Sequence, residues 1–314
     1  MTNNYRYRGR DQRTTVDADQ VEKEAYRNGT SSIDQAVSDD RLAGAVESFS
    51  PDHADDMDVS LESWQADDLA VDTLIGATHE ELLRRAQLLK GLYPFEIDGN
   101  TLRYTGDGFG IYEFLLCICT APTITKGGYV RLPRLFERIV GHTSASYFGP
   151  DNRCLHFGSP RTPEGPAGFA DAAALLAEQT NEFIWKPNNG LDPANAGDQG
   201  VDFVFWPPLL DNRSIAQQFF LGQCACGNDW DTKFDDLNLK KLFKWFDAAV
   251  VDPVRLFATP FHIVDAVLIE SSREAGFVFD RARIVGAFER YLDKSKIEDY
   301  NEEVRSLTLE VLTE

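Results

Sequence analysis

Two apolar runs set close together constrain this chain more than any other feature. Val201-Asp202-Phe203-Val204-Phe205-Trp206 and Phe219-Phe220-Leu221-Gly222-Gln223-Cys224 flank a polar break that contains Pro, Asp and Asn. Aromatic and β-branched runs of this length around a turn predict two neighbouring strands. Asp202 falls inside the first run and Gln223 near the end of the second. A buried polar group without a partner costs roughly 2–7 kcal/mol, so something polar must meet them there.

At 314 residues, with 43% apolar residues and 21 Phe, the chain is long enough for one large domain or two small ones. It has no apolar run of about 18 residues, so no membrane span is expected. Its first residues are polar and Arg-rich, which predicts no secretory signal. Five Cys in apolar or strand-like surroundings point to a reducing cytoplasm and to no disulfide framework. The net charge of −20 is uneven: 17 Asp/Glu stand against 7 Lys/Arg through Thr78. An acidic chain is a poor general polyanion binder, because nucleic-acid affinity comes largely from phosphate neutralisation. That argument weakens where the charge is concentrated in a tail.

Composition divides the chain into four stretches. Residues 1–75 are acidic, with no sustained periodicity beyond short pieces around Val37–Val46 and Leu61–Leu74, and are predicted to be a disordered N-terminal arm. Residues 76–165 are mainly helical, 166–265 hold the core with the two strands, and 266–314 are C-terminal helices. Thr78 with Glu81 forms a capping-box signature ahead of a helix. Asp98-Gly99-Asn100 signals a hairpin. Gly106, Gly108 and Gly110 lack the acidic residue expected about 20 positions on, and read as a plain turn. Residues 147–168 are loop-like. Phe169–Glu182 is a helix, Phe183–Trp185 a short strand, Trp230 to about Ala248 a helix, and Val254–Ile263 another strand. Asp280–Leu292 and Glu298–Leu312 are two further helices.

From Phe169 to Ile263 the order is therefore helix, three strands, helix, strand, with Asp in the second strand and Gln in the third. That arrangement resembles the PD-(D/E)XK nuclease superfamily, and within it the Mrr-like restriction endonucleases. The likeness covers about a third of the chain. Gly197-Asp198-Gln199-Gly200-Val201-Asp202 is similar to the glycine-containing turn before the family's Asp. Gly222-Gln223-Cys224-Ala225 matches in part its Gln two residues before a Lys. Tyr93-Pro94-Phe95-Glu96, Phe157-Gly158-Ser159-Pro160-Arg161, Gly222-Gln223-Cys224-Ala225 and Phe279-Asp280-Arg281 also resemble an uncharacterised phage-defence-associated family.

The resemblance implies an α/β (α+β) fold, with a mixed central sheet flanked by helices. Its restriction-endonuclease-like αβββαβ core would carry helical N- and C-terminal additions. It also implies hydrolysis of DNA phosphodiesters with Mg²⁺ or Mn²⁺, alongside other subunits of a defence complex. Asp202, Gln223 and a helix carboxylate would hold the ion. Glu178 is the favoured helix acid, with Glu182 and Glu137 as alternatives. Glu137, in Phe136-Glu137-Arg138, looks like the family's Phe-Glu pair but lies 65 residues before Asp202, which requires a long insertion. The family's Lys falls at Ala225, so Lys233 is the candidate substitute. The rival reading is a site without catalysis, kept as a DNA-binding or scaffold subunit. Arg161, Lys186, Lys240 and Lys244, with Arg131, Arg134, Arg138 and Arg153, are candidate DNA contacts. Cys117/Cys119 and Cys224/Cys226 lack zinc-pair spacing and are expected to be buried thiols. His142, His156 and His262 show no ligand spacing.

Overall fold

The computed structural model describes residues 4–38, 61–107, 110–158, 166, 168–186, 190–192, 197–211, 213, 215–247 and 249–312. The chain divides into two compact units, Met1–Ala121 with Arg305–Glu314, and Pro122–Val304. These boundaries replace the four compositional stretches, because contacts follow packing and not local polarity. Among the described residues no helix is long and apolar enough to cross a membrane.

The first unit begins with α1 (Asn4–Asn28), β1 (Thr30–Ser32) and a helical segment, α2, starting at residue 33. Then come α3 (Leu61–Leu89), β2 (Phe95–Asp98), β3 (Thr101–Tyr104) and α4 (Ile111–Thr120). The strands form an antiparallel sheet in the order β1-β3-β2. The expected hairpin is present: Asp98 pairs with Thr101, and Gly99 turns at φ +58°.

The described parts of residues 1–75 are helix and strand, contrary to the disordered arm that composition predicts. Residues 39–60 lie outside the described set. The reason for the error lies in α1, whose acidic residues are partly buried. Arg85 is fully buried and bridges Asp19 at 2.7 Å, Glu22 at 2.9 Å and Glu81 at 2.9 Å. Glu22 also accepts hydrogen bonds from the Tyr93 and Tyr112 hydroxyls. Paired charges of this kind belong to a core, while composition scores them as solvated surface. Nor does Thr78 start a helix. It lies inside α3, and its partner in the capping signature, Glu81, binds Arg84 and Arg85 instead.

The second unit opens with α5 (Arg131–Phe148), β4 (Arg153–His156), α6 (Phe169–Thr180), β5 (Phe203–Trp206) and β6 (Phe220–Cys224). It continues through α7 (Leu239–Leu242), β7 (Val254–Ala258), α8 (Asp265–Ala275), β8 (Phe277–Phe279), α9 (Arg281–Tyr291) and the first part of α10 (Lys294–Leu312), whose residues from Arg305 on belong to the first unit. The sheet order is β4-β5-β6-β7-β8, with the first two pairings antiparallel and the last two parallel. Val204, Trp206 and Leu221 pack on one face against Phe169, Ala172 and Leu176 of α6. Alternation along the strands turns Phe203, Phe205 and Phe220 to the other face, under α5. There Phe148 stacks near Phe205 and Phe220.

Three expectations fail here. The stretch 147–168, expected as loop, contains β4. The expected Phe183–Trp185 strand is only a bridge from Trp185 to Phe246. The long helix from Trp230 to Ala248 is instead a 3-10 turn at Trp230–Thr232 and the short α7. Asn238 caps α7 afresh by accepting hydrogen bonds from the Lys240 and Lys241 amides, so the chain is redirected before it. As a result the helix ahead of the sheet's first strand is α5, and α6 is inserted between β4 and β5.

Candidate active site

Leu132, Leu135, Phe136, Ile139 and Val140 form the buried stripe by which α5 packs on the sheet. Gly141 permits the close approach: a Cβ there would meet Phe203 at 3.2 Å and the Cys154 Sγ at 3.3 Å. Glu137, beside this stripe, is carried to the end of the sheet where β5 begins.

Asp202 occupies that end and is held through its N–H, its carbonyl and one carboxylate oxygen. Its N–H donates to the Gly222 carbonyl at 2.8 Å. Its own carbonyl accepts from Phe157 N at 2.7 Å and Gly158 N at 2.8 Å. Its carboxylate Oδ2 accepts from Cys224 N at 2.5 Å. The second oxygen, Oδ1, faces Gly158. A Cβ on Gly158 would sit 3.0 Å from that oxygen and 3.0 Å from Glu137 Oε2. The missing side chain of Gly158 thus leaves a space that both carboxylates face.

Burial and like-charge neighbours set the electrostatics. Glu137 is 16% exposed, and its carboxyl is pushed up to about 8 by burial and then by the charge of Asp198, with Arg134 opposing. Asp202 is 9% exposed and held well above the ordinary carboxylate range by burial, then by Glu137. The Cys224 amide and Lys233 pull the other way. Asp198 sits on the turn before β5, where its Oδ1 accepts from Gly200 N at 2.8 Å. His156 Nε2 shares a 3.1 Å hydrogen bond with Glu137 Oε2. The Cys224 thiol is raised by burial and by the same two acids.

The residues singled out from sequence divide sharply. Asp202 lies at the centre. Lys233 acts on it electrostatically from the loop after β6, with its ammonium 3.4 Å from Asp229 Oδ1. Glu178 does not join them: it is exposed on α6, and Glu137 is the helix acid that reaches Asp202. Glu182 is a structural anchor, accepting from Gln217 N at 3.0 Å and Val250 N at 2.8 Å. The Gln223 amide is turned to the loop, donating to the Lys233 carbonyl at 3.0 Å and accepting from Leu237 N at 3.3 Å. It is therefore engaged away from the carboxylates, and its expected place as a metal ligand is corrected. Ala225 is buried, and its N–H is bonded to the Ala258 carbonyl.

Lys186 pairs with Asp247 at 2.8 Å, whereas Lys240 and Lys244 are exposed near α7. Arg161 lies outside the described residues. Arg131 and Arg138 both bridge Glu303, at 3.2 Å and 3.6 Å. All five Cys are free thiols, with Cys117 and Cys226 buried. Among the described residues no three His, Cys, Asp or Glu side chains gather closely enough to hold an ion unaided.

Sequence reading missed His156, Gly158 and Asp198 as site residues. The Phe157-Gly158 stretch and the glycine turn were both visible, but nothing in them showed that Glu137 would close over Gly158. Compared with protein-family models, with curated proteins and with solved structures, the chain matches none of the three.

Proposed function

We propose that the second unit is a metal-dependent nuclease that hydrolyses DNA phosphodiesters on a restriction-endonuclease-like core. The observation that carries this reading is the convergence of Glu137 and Asp202 on the space at Gly158, beside Lys233. The order α5-β4-β5-β6-α7-β7, antiparallel through β6 and parallel at β7, supports an αβββαβ core in which α6 is an insertion. On this reading the first helix is α5, and the Phe136-Glu137 pair takes the position that the resemblance assigns to the helix acid.

The donor set fits Mg²⁺ or Mn²⁺. Both groups are hard oxygen ligands, and two carboxylates are enough when water and a phosphate complete the shell. Two neighbouring acids, both raised by burial and one by the other's charge, are relieved by a divalent cation between them. When bound, the ion supplies an activated water and neutralises charge developing on the phosphate.

The chain's own groups then have distinct tasks. Asp202, fixed by its four hydrogen bonds, keeps one oxygen aimed at the space with no rotamer search. His156 hydrogen-bonds Glu137 Oε2, the oxygen that faces the same space. Lys233 brings positive charge from a flexible stem to the region where a phosphate would gain negative charge. Arg134, one turn before Glu137 and exposed, adds a second cation at the rim. The acidic total disfavours tight nonspecific binding. A role beside other subunits of a phage-defence or restriction system is supported by the resemblance of four short stretches alone.

The test is cleavage of supercoiled, linear and single-stranded DNA by the purified chain with Mg²⁺ or Mn²⁺, against Asp202→Asn. Metal-dependent cutting that the substitution abolishes supports the reading, and equal behaviour of the two proteins with every substrate and metal rejects it. A second reading is favoured by Ala225, which is buried where the family pattern puts its Lys: a noncatalytic DNA-binding or scaffold subunit. It predicts that Asp202→Asn leaves both DNA binding and phage protection unchanged.

A further inference from the structure

We infer that Gln223 is a positioning residue that fixes Lys233 opposite Asp202, an inference that rests on the nuclease reading of the site. The cation does not come from the strand that carries Gln223. It comes from a loop ten residues on, and a loop must be held if its lysine is to have a defined place. One amide does this from β6. Its Nε2 donates to the Lys233 carbonyl at 3.0 Å, and its Oε1 accepts from Leu237 N at 3.3 Å. Both ends of the 233–237 turn are thereby tied to one side chain. The turn is closed internally by Asp236 N donating to the Lys233 carbonyl at 3.1 Å.

The turn is gripped from the opposite side as well. Gly200, at φ +75°, lies so close that a Cβ would meet the Asp236 carbonyl at 2.6 Å and Leu237 N at 2.7 Å. Gly200 belongs to the turn that bears Asp198 and leads directly into Asp202. The Lys233 segment is therefore clamped between β6 and the approach to β5, and its backbone is referenced to Asp202 from both sides. The chemistry of the clamp also calls for an amide. A carboxylate at 223 could accept from Leu237, but it would face the Lys233 carbonyl without a proton to donate. A metal-ligating residue would tolerate that exchange, whereas a residue that must both donate and accept would not.

Three measurements on the full chain test this: DNA cleavage with Mg²⁺, Mn²⁺ titration, and amide hydrogen exchange. Gln223→Met fills the same space without hydrogen bonds. It should lower kcat by about 10²-fold, the scale of one lost transition-state contact, as should Lys233→Met. The double variant should be no worse than either single one, because both remove the same contribution. Gln223→Glu should behave like Gln223→Met. Mn²⁺ affinity should be unchanged in Gln223→Met and lost in Asp202→Asn. Exchange at 233–237 should quicken about tenfold or more in Gln223→Met.

Losses that multiply in the double variant, an Mn²⁺ defect equal to that of Asp202→Asn, or unchanged exchange at 233–237 would each overturn the inference. Should the unsubstituted chain cut no DNA, the nuclease reading falls, and hydrogen exchange alone decides whether Gln223 holds the turn. Should Gln223→Met fail to fold, Gly200→Ala displaces the same turn from its other side and is read in the same way.

Discussion

Glu137 of α5 and Asp202 at the start of β5, 65 residues apart in sequence, each present a carboxylate oxygen 3.0 Å from the point a Gly158 Cβ would occupy. Among the described residues, neither acid has an arginine bound to it. The pair is partly compensated by Lys233, Arg134 and one backbone amide, and at this spot both carboxyls stay above the ordinary carboxylate range.

That spot identifies which helix acid matters. Glu137→Gln should reduce metal-dependent cleavage by about 10²-fold or more, as expected for loss of a metal-holding carboxylate. Glu178→Gln should leave the rate within about twofold, because an exposed group outside the site contributes little. Initial rates on one plasmid substrate distinguish the two.

Stability should run the opposite way. A carboxyl held near 8 in the folded state and at 4.5 otherwise binds its proton more tightly when folded. The folded chain keeps that advantage below pH 4.5 and loses it as pH rises through about 8. The metal-free protein should therefore show a falling Tm between pH 5 and pH 8. Glu137→Gln should flatten that fall and melt above the unsubstituted chain at pH 8.

Divalent cation should reverse the same penalty. Mg²⁺ or Mn²⁺ at 100 times its Kd at pH 8 should stabilise the folded chain by about 2.7 kcal/mol at that pH, and the same concentration should stabilise it less at pH 6. Asp202→Asn should remove the shift. Thermal melts with and without chelator give the comparison.

Gly158→Ala places a methyl group in the shared space. Its Cβ is 3.0 Å from both oxygens and 3.2 Å from the Asp202 Cα, so the acids must part. The expected result is a folded protein whose Mn²⁺ binding and cleavage are both lost by about 10²-fold. Circular dichroism alongside Mn²⁺ titration separates this from unfolding.

Gly222→Ala tests the sheet. A Cβ there would lie 2.0 Å from the Phe203 ring, which is fully buried beneath α5. Overpacking of this kind costs about 1–3 kcal/mol, and urea unfolding should show a lower midpoint with an unchanged slope.

Several elements of both units were legible from local pattern. The runs 203–206 and 220–224 form the antiparallel pair their composition announces, α6 follows its Ala/Leu stretch, and the 95–104 hairpin follows its glycine. Asp202 stood out as a polar residue in an expected strand; it lies directly before β5, buried, with its N–H, its carbonyl and one carboxylate oxygen hydrogen-bonded. These features depend on residues close in sequence, where alternation and turn chemistry act directly.

What the tertiary structure decided concerns distance. Sequence periodicity carries no information on which helix covers which strand end, so Glu178, nearer in the chain, looked the better acid than Glu137. The insertion of α6 between β4 and β5 is invisible to spacing rules, and it is the reason a residue 65 positions upstream meets Asp202. Likewise, α1 reads as solvated until Arg85 supplies the buried counter-charge, and Gln223 reads as a ligand until the Lys233 turn takes both ends of its amide. A polar side chain's chemistry is set by its own atoms, but its role is set by the partner that packing delivers.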